Sequence, residues 1–378
     1  MTTSDLADEY FNRALKKVEG TPRADRPVCY AIFARTGGVL CGVTDVLGLI
    51  NARCTGPVTV RGKRDGDRFG PREIIMTIEG RFADLVVLET EYLGMLSLTG
   101  AATNMAAIVE AAGETRIIDM AARHYPPEMS EYIGVAAAVG GAAGTCTRIG
   151  HTGAHERFGV GEGLIQVGGG PARRFELYGS IPHALNAVFE GSSIESAAAY
   201  HERHPDIPLS VLIDFEGRER DIVAEAVRRF GPDLYAVRLD TPASRVHQGG
   251  HETPNRAMEM RILAGARDRG AAQAALDRYG FGPGVTIEMV FNIRDLLNQL
   301  GARSTQIIAS SGFDLEKVKA FKACGAPVDA IGTGSWVGFT FFTSDIIRVQ
   351  ENGTWVERCK AGRREELFEP ELPVLLQK

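Results

Sequence analysis

Short apolar runs alternate with amphipathic segments through the second half of the chain. Each run is rich in β-branched residues, ends in a polar residue or glycine, and precedes a stretch with helical spacing. Strands buried on both faces form such continuous apolar runs, and their alternation with helices indicates a parallel sheet with right-handed crossovers. The predicted strands are 207–214, 233–240, 305–311 and 328–334, and the predicted helices are 218–230, 255–279 and 315–324.

The two ends of the chain show a different pattern. The spacing predicts a helix at 6–18, strands at 28–34 and 73–79, and a further helix at 91–112. Near the other end, residues 345–358 predict a hairpin, because Asn352-Gly353 is a dipeptide that favours tight turns. We therefore expect an N-terminal α/β domain (1–115), an α/β barrel (116–344), and a C-terminal hairpin and tail (345–378) that packs on the N-terminal domain.

Composition narrows the range of partners. The chain of 378 residues is 44% hydrophobic with a net charge of −6, which argues against nucleic acid as the main partner. The first ten residues are acidic rather than basic, and no uncharged apolar run approaches the ~20 residues of a membrane span. Six cysteines without a C-x-x-C pair indicate reduced thiols rather than zinc ligands. We expect a cytoplasmic protein with no membrane association and no structural metal.

The chemistry is concentrated where the predicted strands end. In α/β barrels the functional residues gather at the C-terminal ends of the strands, and phosphate often binds after the last two. Asp214, Arg238 and Asp240 end the first two strands, and the last two lead into turns that contain Gly312, Gly332 and Gly334. Any one of these residues could simply end a strand or cap a helix. Together, and in this order, they predict a site for an anionic, phosphate-bearing ligand.

Two patterns favour ordinary surface structure. The glycine-rich residues 159–170 lack the strand–GxGxxG–helix context of a dinucleotide fold, so we expect a flexible surface loop. His151 and His155 are four residues apart but stand among glycines, and no H-E-x-x-H motif is present. A solvated loop is also expected for this pair.

Several motifs together resemble those of nicotinate phosphoribosyltransferases, in the archaeal-type branch of the type II phosphoribosyltransferases. They occur in family order and span nearly the whole chain, although each alone is weak. They are residues 8–11 (DEYF), 88–96 (LETEYLGML), 140–145 (GGAAGT), 178–185 (YGSIPHAL), 235–242 (YAVRLDTP), 308–317 (IASSGFDLEK) and 331–335 (IGTGS).

The resemblance implies an irregular α/β barrel flanked by a smaller α/β sandwich domain formed from both chain ends. It also implies a homodimer, or a multiple of one, with shared active sites. The reaction implied joins nicotinate, or a related pyridine carboxylate, to phosphoribosyl diphosphate in NAD biosynthesis or salvage. Mg²⁺ would accompany the diphosphate, and ATP would be a co-substrate, as in an ATP-dependent ligase or glycosyltransferase.

Residue roles carry over from the matching motifs. Asp240 and Asp214 are expected near the ribose, and His183 stands where the family has its phosphorylated histidine. Tyr10 is expected to stack on the pyridine from the neighbouring subunit. The remaining expected contacts are Arg123, Arg238 and Thr145 for the substrates and Ser311, Gly312, Gly332, Thr333 and Gly334 for the 5′-phosphate.

The chain departs from the family pattern in two places. Ala142 and Ala143 occupy a turn in which the family usually has an acidic residue, and the link 148–177 is longer than usual and rich in Arg and His. The link is either a surface insertion or part of an altered pocket for another acceptor. The acceptor base and the need for ATP therefore stay open. A quinolinate-type or pathway-specific transferase and a non-catalytic nucleotide-binding barrel are the alternatives.

Overall fold

The computed structural model describes residues 4–378, so residues 1–3 of the expected N-terminal domain lie outside the described part. The helices are α1 Glu9–Val18, α2 Val43–Arg53, α3 Phe82–Leu85, α4 Glu89–Leu96, α5 Thr99–Ala112, α6 Ser130–Val139, α7 Arg148–Phe158, α8 His183–Val188, α9 Ser193–Arg203, α10 Glu219–Phe230, α11 Arg256–Gly265, α12 Arg269–Tyr279, α13 Ile287–Gln299 and α14 Leu315–Ala323.

The strands are β1 Pro27–Ala34, β2 Gly38–Val39, β3 Val58–Gly62, β4 Arg68–Phe69, β5 Ile74–Arg81, β6 Arg116–Asp119, β7 Gly144–Thr145, β8 Gly159–Gly161, β9 Leu164–Ile165, β10 Arg173–Arg174, β11 Glu176–Leu177, β12 Leu209–Leu212, β13 Leu234–Leu239, β14 Gln306–Ala309, β15 Ala330–Thr333, β16 Phe342–Glu351, β17 Thr354–Glu357 and β18 Val374–Gln377. Short 3-10 turns are found at Ala122–His124, Pro127–Met129, Gly231–Asp233 and Arg364–Glu366.

A six-stranded antiparallel sheet contains strands from both ends of the chain. Its order is β17-β16-β1-β5-β3-β18, and β1 pairs with β16 on one side and β5 on the other. Tyr30 and Ile32 of β1 pack towards the helices, whereas Cys29 and Ala31 pack on the other face in a small cluster with Ile347. Both faces of the strand are buried, which explains its continuous apolar sequence. The expected smaller α/β domain formed from both chain ends is confirmed.

A seven-stranded parallel sheet curls into a half-barrel. Its order is β11-β7-β6-β15-β14-β13-β12, and every neighbouring pair is parallel. Ile117, Val237, Ile307 and Ile331 belong to the large core that the outer helices share with the sheet. The alternate residues Ile118, Ala236, Ile308 and Ala330 form a separate inner cluster. The irregular α/β barrel expected from the sequence is confirmed.

The expectation of a solvated loop around His151 and His155 is wrong. Both residues lie on α7, and their rings are 4.2 Å apart between centroids. Glycine in this segment permits close packing of α7 against α6, because a Cβ on Gly134 would lie 2.3 Å from the Cα of Gly150. The glycine-rich segment that follows also differs from the expected flexible loop, since its strands β8 and β9 form a small antiparallel sheet with β10.

Other elements were missed or merged. The helices α2 and α13 and the strand β3 were not predicted, and the helix expected at 255–279 is two helices, α11 and α12. Residues 89–112, which comprise α4 and α5, are long and apolar enough to cross a membrane by length and composition alone. The sequence analysis considered only uncharged apolar runs, and residues 89–112 contain Glu89, Glu91 and Glu110. The buried residues of α5, such as Met105 and Ile108, belong to the large core, and this position accounts for their apolar character.

Candidate active site

A cavity of about 1040 Å³ occupies the inside of the half-barrel. Eight of the residues expected from the sequence line it, although they come from separate parts of the chain. These are Arg123, His183, Arg238, Asp240, Ser311, Gly312, Gly332 and Gly334. The carboxyl ends of parallel strands meet at one edge of a sheet, and this geometry brings the residues together.

Arg238, Asp240 and Ser310 form a hydrogen-bonded triangle on one wall. Arg238 and Asp240 are two residues apart along one strand direction, so their side chains point to the same face. Arg238 Nη2 donates to Asp240 Oδ2 at 2.8 Å, and its Nε donates to Ser310 Oγ at 3.1 Å. Ser310 Oγ lies 2.7 Å from Asp240 Oδ1, and Arg238 Nη1 donates to Ser180 Oγ at 2.8 Å. The network fixes the orientation of the Asp240 carboxylate.

His183 stands between two carboxylates. It begins α8 directly after Pro182, and its Nε2 lies 3.2 Å from Asp214 Oδ2. Its Nδ1 lies 4.0 Å from Asp240 Oδ2 on the other side. Asp214 is buried, and burial raises the pKa of its carboxyl group, although the hydrogen bond to His183 partly offsets this rise. The imidazole is thus held in place while about 44% of its side chain stays exposed to the cavity and solvent.

An ion pair between Arg245 and the buried Glu219 holds the backbone of Asp214 in place. Arg245 Nη2 donates to the backbone oxygen of Asp214 at 3.1 Å and also contacts the carboxylate of Glu219. Glu219 is fully buried at the start of α10, and the backbone N–H of Gln248 donates to it at 2.8 Å. These bonds lower the pKa of Glu219 against the opposing effect of burial. Asp214 therefore orients His183 without lining the cavity itself.

Two glycine-bearing turns follow the neighbouring strands β14 and β15 and continue the cavity wall. Ser311 and Gly312 have φ values of 75° and 68°, a left-handed conformation that glycine adopts readily and serine does not. Positions 332 and 334 have little space for a side chain. A Cβ on Gly332 would lie 2.4 Å from the Met120 side chain, and a Cβ on Gly334 would lie 2.6 Å from the His124 ring. The exposed backbone at such turns can approach a phosphate closely.

Thr333 and Thr145 do not face the cavity. Thr333 Oγ1 donates to the backbone oxygen of Phe313 at 2.6 Å, which ties the two glycine turns together. Thr145 is fully buried, and its hydroxyl donates to Asp119 Oδ2 at 2.7 Å. In the structure both hydroxyl groups make positioning contacts within the protein, and neither residue lines the cavity.

Asp119 and Ser310 are site residues that the sequence analysis missed. Asp119 lines the cavity at the end of β6 and accepts hydrogen bonds from the Ala121 N–H and from Trp336 Nε1, in addition to Thr145. Burial raises the pKa of its carboxyl group. The signal was present, because Asp119 ends an apolar run just as Asp214 and Asp240 do.

The long link 148–177 forms part of the cavity wall. His151, Arg174 and Phe175 all line the cavity. Burial and the neighbouring His155 lower the pKa of His151, which favours its neutral form. The link is therefore more than a surface insertion. Tyr10, in contrast, lies on α1 outside the cavity lining with 61% of its surface exposed.

Sequence comparisons relate the chain to phosphoribosyltransferases. Residues 8–99 match the N-terminal domain family of quinolinate phosphoribosyltransferases. The nicotinate phosphoribosyltransferase pncB1 of Mycobacterium tuberculosis is 25% identical over 366 residues, covering 87% of this chain and 68% of the relative. The chain is therefore similar, over most of its length, to an enzyme of the nicotinate phosphoribosyltransferase family.

Solved structures of similar proteins share the fold. A nicotinate-nucleotide pyrophosphorylase from Pyrococcus furiosus superposes with a TM-score of 0.70 and 26% identity, over 94% of this chain and 77% of that structure. Human nicotinic acid phosphoribosyltransferase superposes with a TM-score of 0.58 and 16% identity, over 92% of this chain and 75% of that structure. At this identity the human enzyme supports the fold alone.

Lys317 lies beneath the first glycine turn. Its Nζ donates to the backbone oxygen of Ser311 at 3.1 Å and lies 4.4 Å from the centre of the Phe313 ring. Burial of the ammonium group lowers the pKa of Lys317 to about 8. The bond to Ser311 stabilises the left-handed conformation of that residue, and the charge favours an anion on the turn.

Replacing Lys317 with Met should weaken phosphate binding by about 3- to 10-fold, because a charge-assisted hydrogen bond is lost. The thermal midpoint at pH 7 should stay equal or rise, since the variant buries no cation. The folded-state pKa lies below the ordinary 10.5, so the wild type gains stability as the pH rises from about 8 to 10.5. Any advantage of the variant should shrink over that range.

Phosphate titrations and thermal melts at pH 7 and 9.5 measure both effects. Lys319→Met is the matched control, because Lys319 is exposed on the same helix and pairs with Glu316. Unchanged phosphate affinity with a lower midpoint would show that Lys317 only packs.

Proposed function

We propose that the enzyme transfers the phosphoribosyl group of phosphoribosyl diphosphate to nicotinate, or to a related pyridine carboxylate. The products are the pyridine mononucleotide and diphosphate, as part of NAD biosynthesis or salvage. The observation that carries the proposal is the placement of His183 between Asp214 and Asp240, in a cavity that also contains both glycine turns. We place the reaction in the cytoplasm, where the six unpaired cysteines would stay reduced.

The chemistry requires no general base. The pyridine nitrogen uses its own lone pair to form a bond to the anomeric carbon, while the bond from that carbon to the diphosphate oxygen breaks. Positive charge develops on the ribose, and negative charge develops on the leaving group. Catalysis therefore depends on positioning and electrostatic stabilisation. The oriented Asp240 carboxylate suits the ribose, and the arginines Arg123 and Arg238 suit the diphosphate and the acceptor carboxylate.

Mg²⁺ fits this site as a companion of the substrate. No group of three or more potential metal ligands occurs among residues 4–378. Mg²⁺ is commonly held by one or two carboxylates together with substrate phosphates, and the carboxylates of Asp240 and Asp119 line the cavity. These residues would hold the ion with the diphosphate, whose charge it would neutralise.

A quinolinate-type transfer is the second candidate. The cavity wall carries Arg123 and Arg174, two guanidinium groups that would suit an acceptor with two carboxylates. Such an enzyme releases diphosphate without ATP and decarboxylates its product. The acceptor panel and the effect of ATP distinguish the two candidates.

The wild type, supplied with Mg²⁺ and phosphoribosyl diphosphate, should release diphosphate with nicotinate and less with quinolinate or nicotinamide. Asp240→Asn should lower turnover by about 10²-fold or more, because the variant lacks the negative charge that would stabilise the developing positive charge on the ribose. The control Asp206→Asn changes an exposed aspartate before β12 and should keep full turnover. No release with any pyridine, or full activity of Asp240→Asn with an intact fold, would contradict the proposal.

ATP should stimulate the reaction through His183. A neutral imidazole is nucleophilic near pH 7, and its phosphoryl adduct is labile, so a phosphohistidine near the diphosphate could couple ATP hydrolysis to transfer. His183→Ala should abolish the stimulation and leave a slow ATP-independent transfer. Diphosphate release and phosphohistidine formation from labelled ATP measure the two effects. Equal stimulation of both proteins would assign His183 a purely structural role.

Tyr10 should complete the site of a neighbouring subunit in a homodimer. It is 61% exposed, Leu6 four residues earlier in the sequence is 69% exposed, and Tyr10 lies outside the cavity of its own chain. Tyr10→Ala and Asp240→Asn should each be nearly inactive, whereas a mixture after subunit exchange should recover about a quarter of wild-type activity, through the one intact site of each mixed dimer. No recovery, or an active monomer in sedimentation, would show that each chain works alone.

A further inference from the structure

The cavity extends well below the residues assigned to catalysis. Its lining includes Arg116, Tyr235 and Ala330, which stand at the beginnings of β6, β13 and β15. Tyr235 precedes Arg238 by three residues on one strand, a rise of about 10 Å. The cavity thus spans the parallel sheet from its carboxyl edge to the opposite end. We name the residues Arg116, Tyr178, Ser210 and Tyr235 the barrel floor.

Small inward side chains create this depth. Layers of branched side chains usually fill an α/β barrel. Here Ala236 and Ala330 occupy inward positions and leave space beside Ile118 and Ile308. The pairing of β12 with β13 also contains a β-bulge. Leu209 pairs with Leu234, and the next residue, Ser210, pairs with Ala236. The extra residue is Tyr235, whose side chain lines the cavity.

Arg116 has only neutral hydrogen-bond partners among the described residues. Its guanidinium donates to the Tyr235 hydroxyl at 3.3 Å and to the Gln306 side-chain oxygen, and Tyr178 is a further neighbour. No carboxylate of residues 4–378 forms an ion pair with Arg116, and the lining carboxylate of Glu176 hydrogen-bonds to Tyr178 instead. A guanidinium with five donors and no anionic partner favours a carboxylate.

Ser210 is the second, independent observation. Ser210 is a buried residue, 7% exposed, that lines the cavity, and its Oγ has no hydrogen-bond partner among the described residues. A buried hydroxyl without a partner costs free energy unless a ligand or water satisfies it. The floor therefore combines a cation, two phenols and an unsatisfied hydroxyl around one space.

We propose that the barrel floor is a carboxylate-binding subsite, distinct from the contacts that hold a nicotinate carboxyl group higher in the cavity. The carboxylate belongs either to a pyridine acceptor with an extended acidic arm or to a separate small organic acid. The first case rests on the proposed function, and the second does not. A carboxyl group attached directly to the ring is too short to reach the floor from a nitrogen placed near Asp240.

Calorimetric binding tests the subsite without turnover. The probes are nicotinate, 3-(pyridin-3-yl)propanoate and glutarate, titrated into the wild type, Arg116→Met, Arg116→Lys and the control Arg228→Met, whose arginine is exposed on α10. Arg116→Met should weaken the pyridylpropanoate or glutarate about 10- to 100-fold and nicotinate by less than about 3-fold. Arg116→Lys should retain part of the affinity, and Arg228→Met should retain all of it.

The outcomes separate the possibilities. If the affinity for the pyridylpropanoate depends on Arg116, the subsite serves an acceptor with an extended acidic arm. If only the affinity for glutarate depends on Arg116, the subsite binds a separate small acid. Equal weakening of all three probes, or no dependence on Arg116, overturns the subsite. A wild type that binds these acids through Arg116 but releases no diphosphate with any pyridine would defeat the proposed function and leave the subsite standing.

Discussion

The alternation of side chains along parallel strands is the constraint on which the site depends. Odd and even positions of β6, β13, β14 and β15 face opposite sides, so one set packs against the helices and the other faces the cavity. The outer set includes Ile117, Val237, Ile307 and Ile331, whose branched apolar side chains stabilise the fold. The inner set is consequently free to be small or polar. Arg238 and Asp240 share a face for this reason, and Gly332 and Gly334 do so as well.

A barrel with an open cavity lacks the apolar packing that usually fills its inside, so other interactions must stabilise it. The outer core contains Ile117, Val237, Ile307 and Ile331, each at most 2% exposed, and supplies apolar burial on the helical side. On the inner side, hydrogen bonds satisfy most of the polar groups, as in the triangle of Arg238, Asp240 and Ser310. Such a network holds one geometry only when its members are paired. The same pairing leaves the Asp240 carboxylate oriented before any substrate binds.

The sequence pattern predicted the barrel strands and the glycine turns because both follow from local rules. An apolar run buried on two faces is visible without knowledge of its neighbours, and Gly312 and Gly334 follow such runs directly. Contacts between distant segments were not predictable in this way. The glycines around His151 and His155 indicated a loop by composition, yet this segment is α7, and Gly150 allows it to touch α6 at Gly134. Thr145 matched a family motif, but only the fold shows that its hydroxyl supports Asp119.

Under the proposed function, reaction class and acceptor choice would depend on different parts of this cavity. The carboxyl edge brings together His183, Asp240 and the glycine turns, which would act on groups that any phosphoribosyl transfer contains. The link 148–177 and the barrel floor place Arg174 and Arg116 elsewhere in the lining, where they would contact only what extends beyond those groups. Because the two sets come from separate elements, the acceptor could change while the residues at the carboxyl edge stay the same. Of the two departures from the family pattern, the link reaches the cavity lining, whereas Ala142 and Ala143 do not line it.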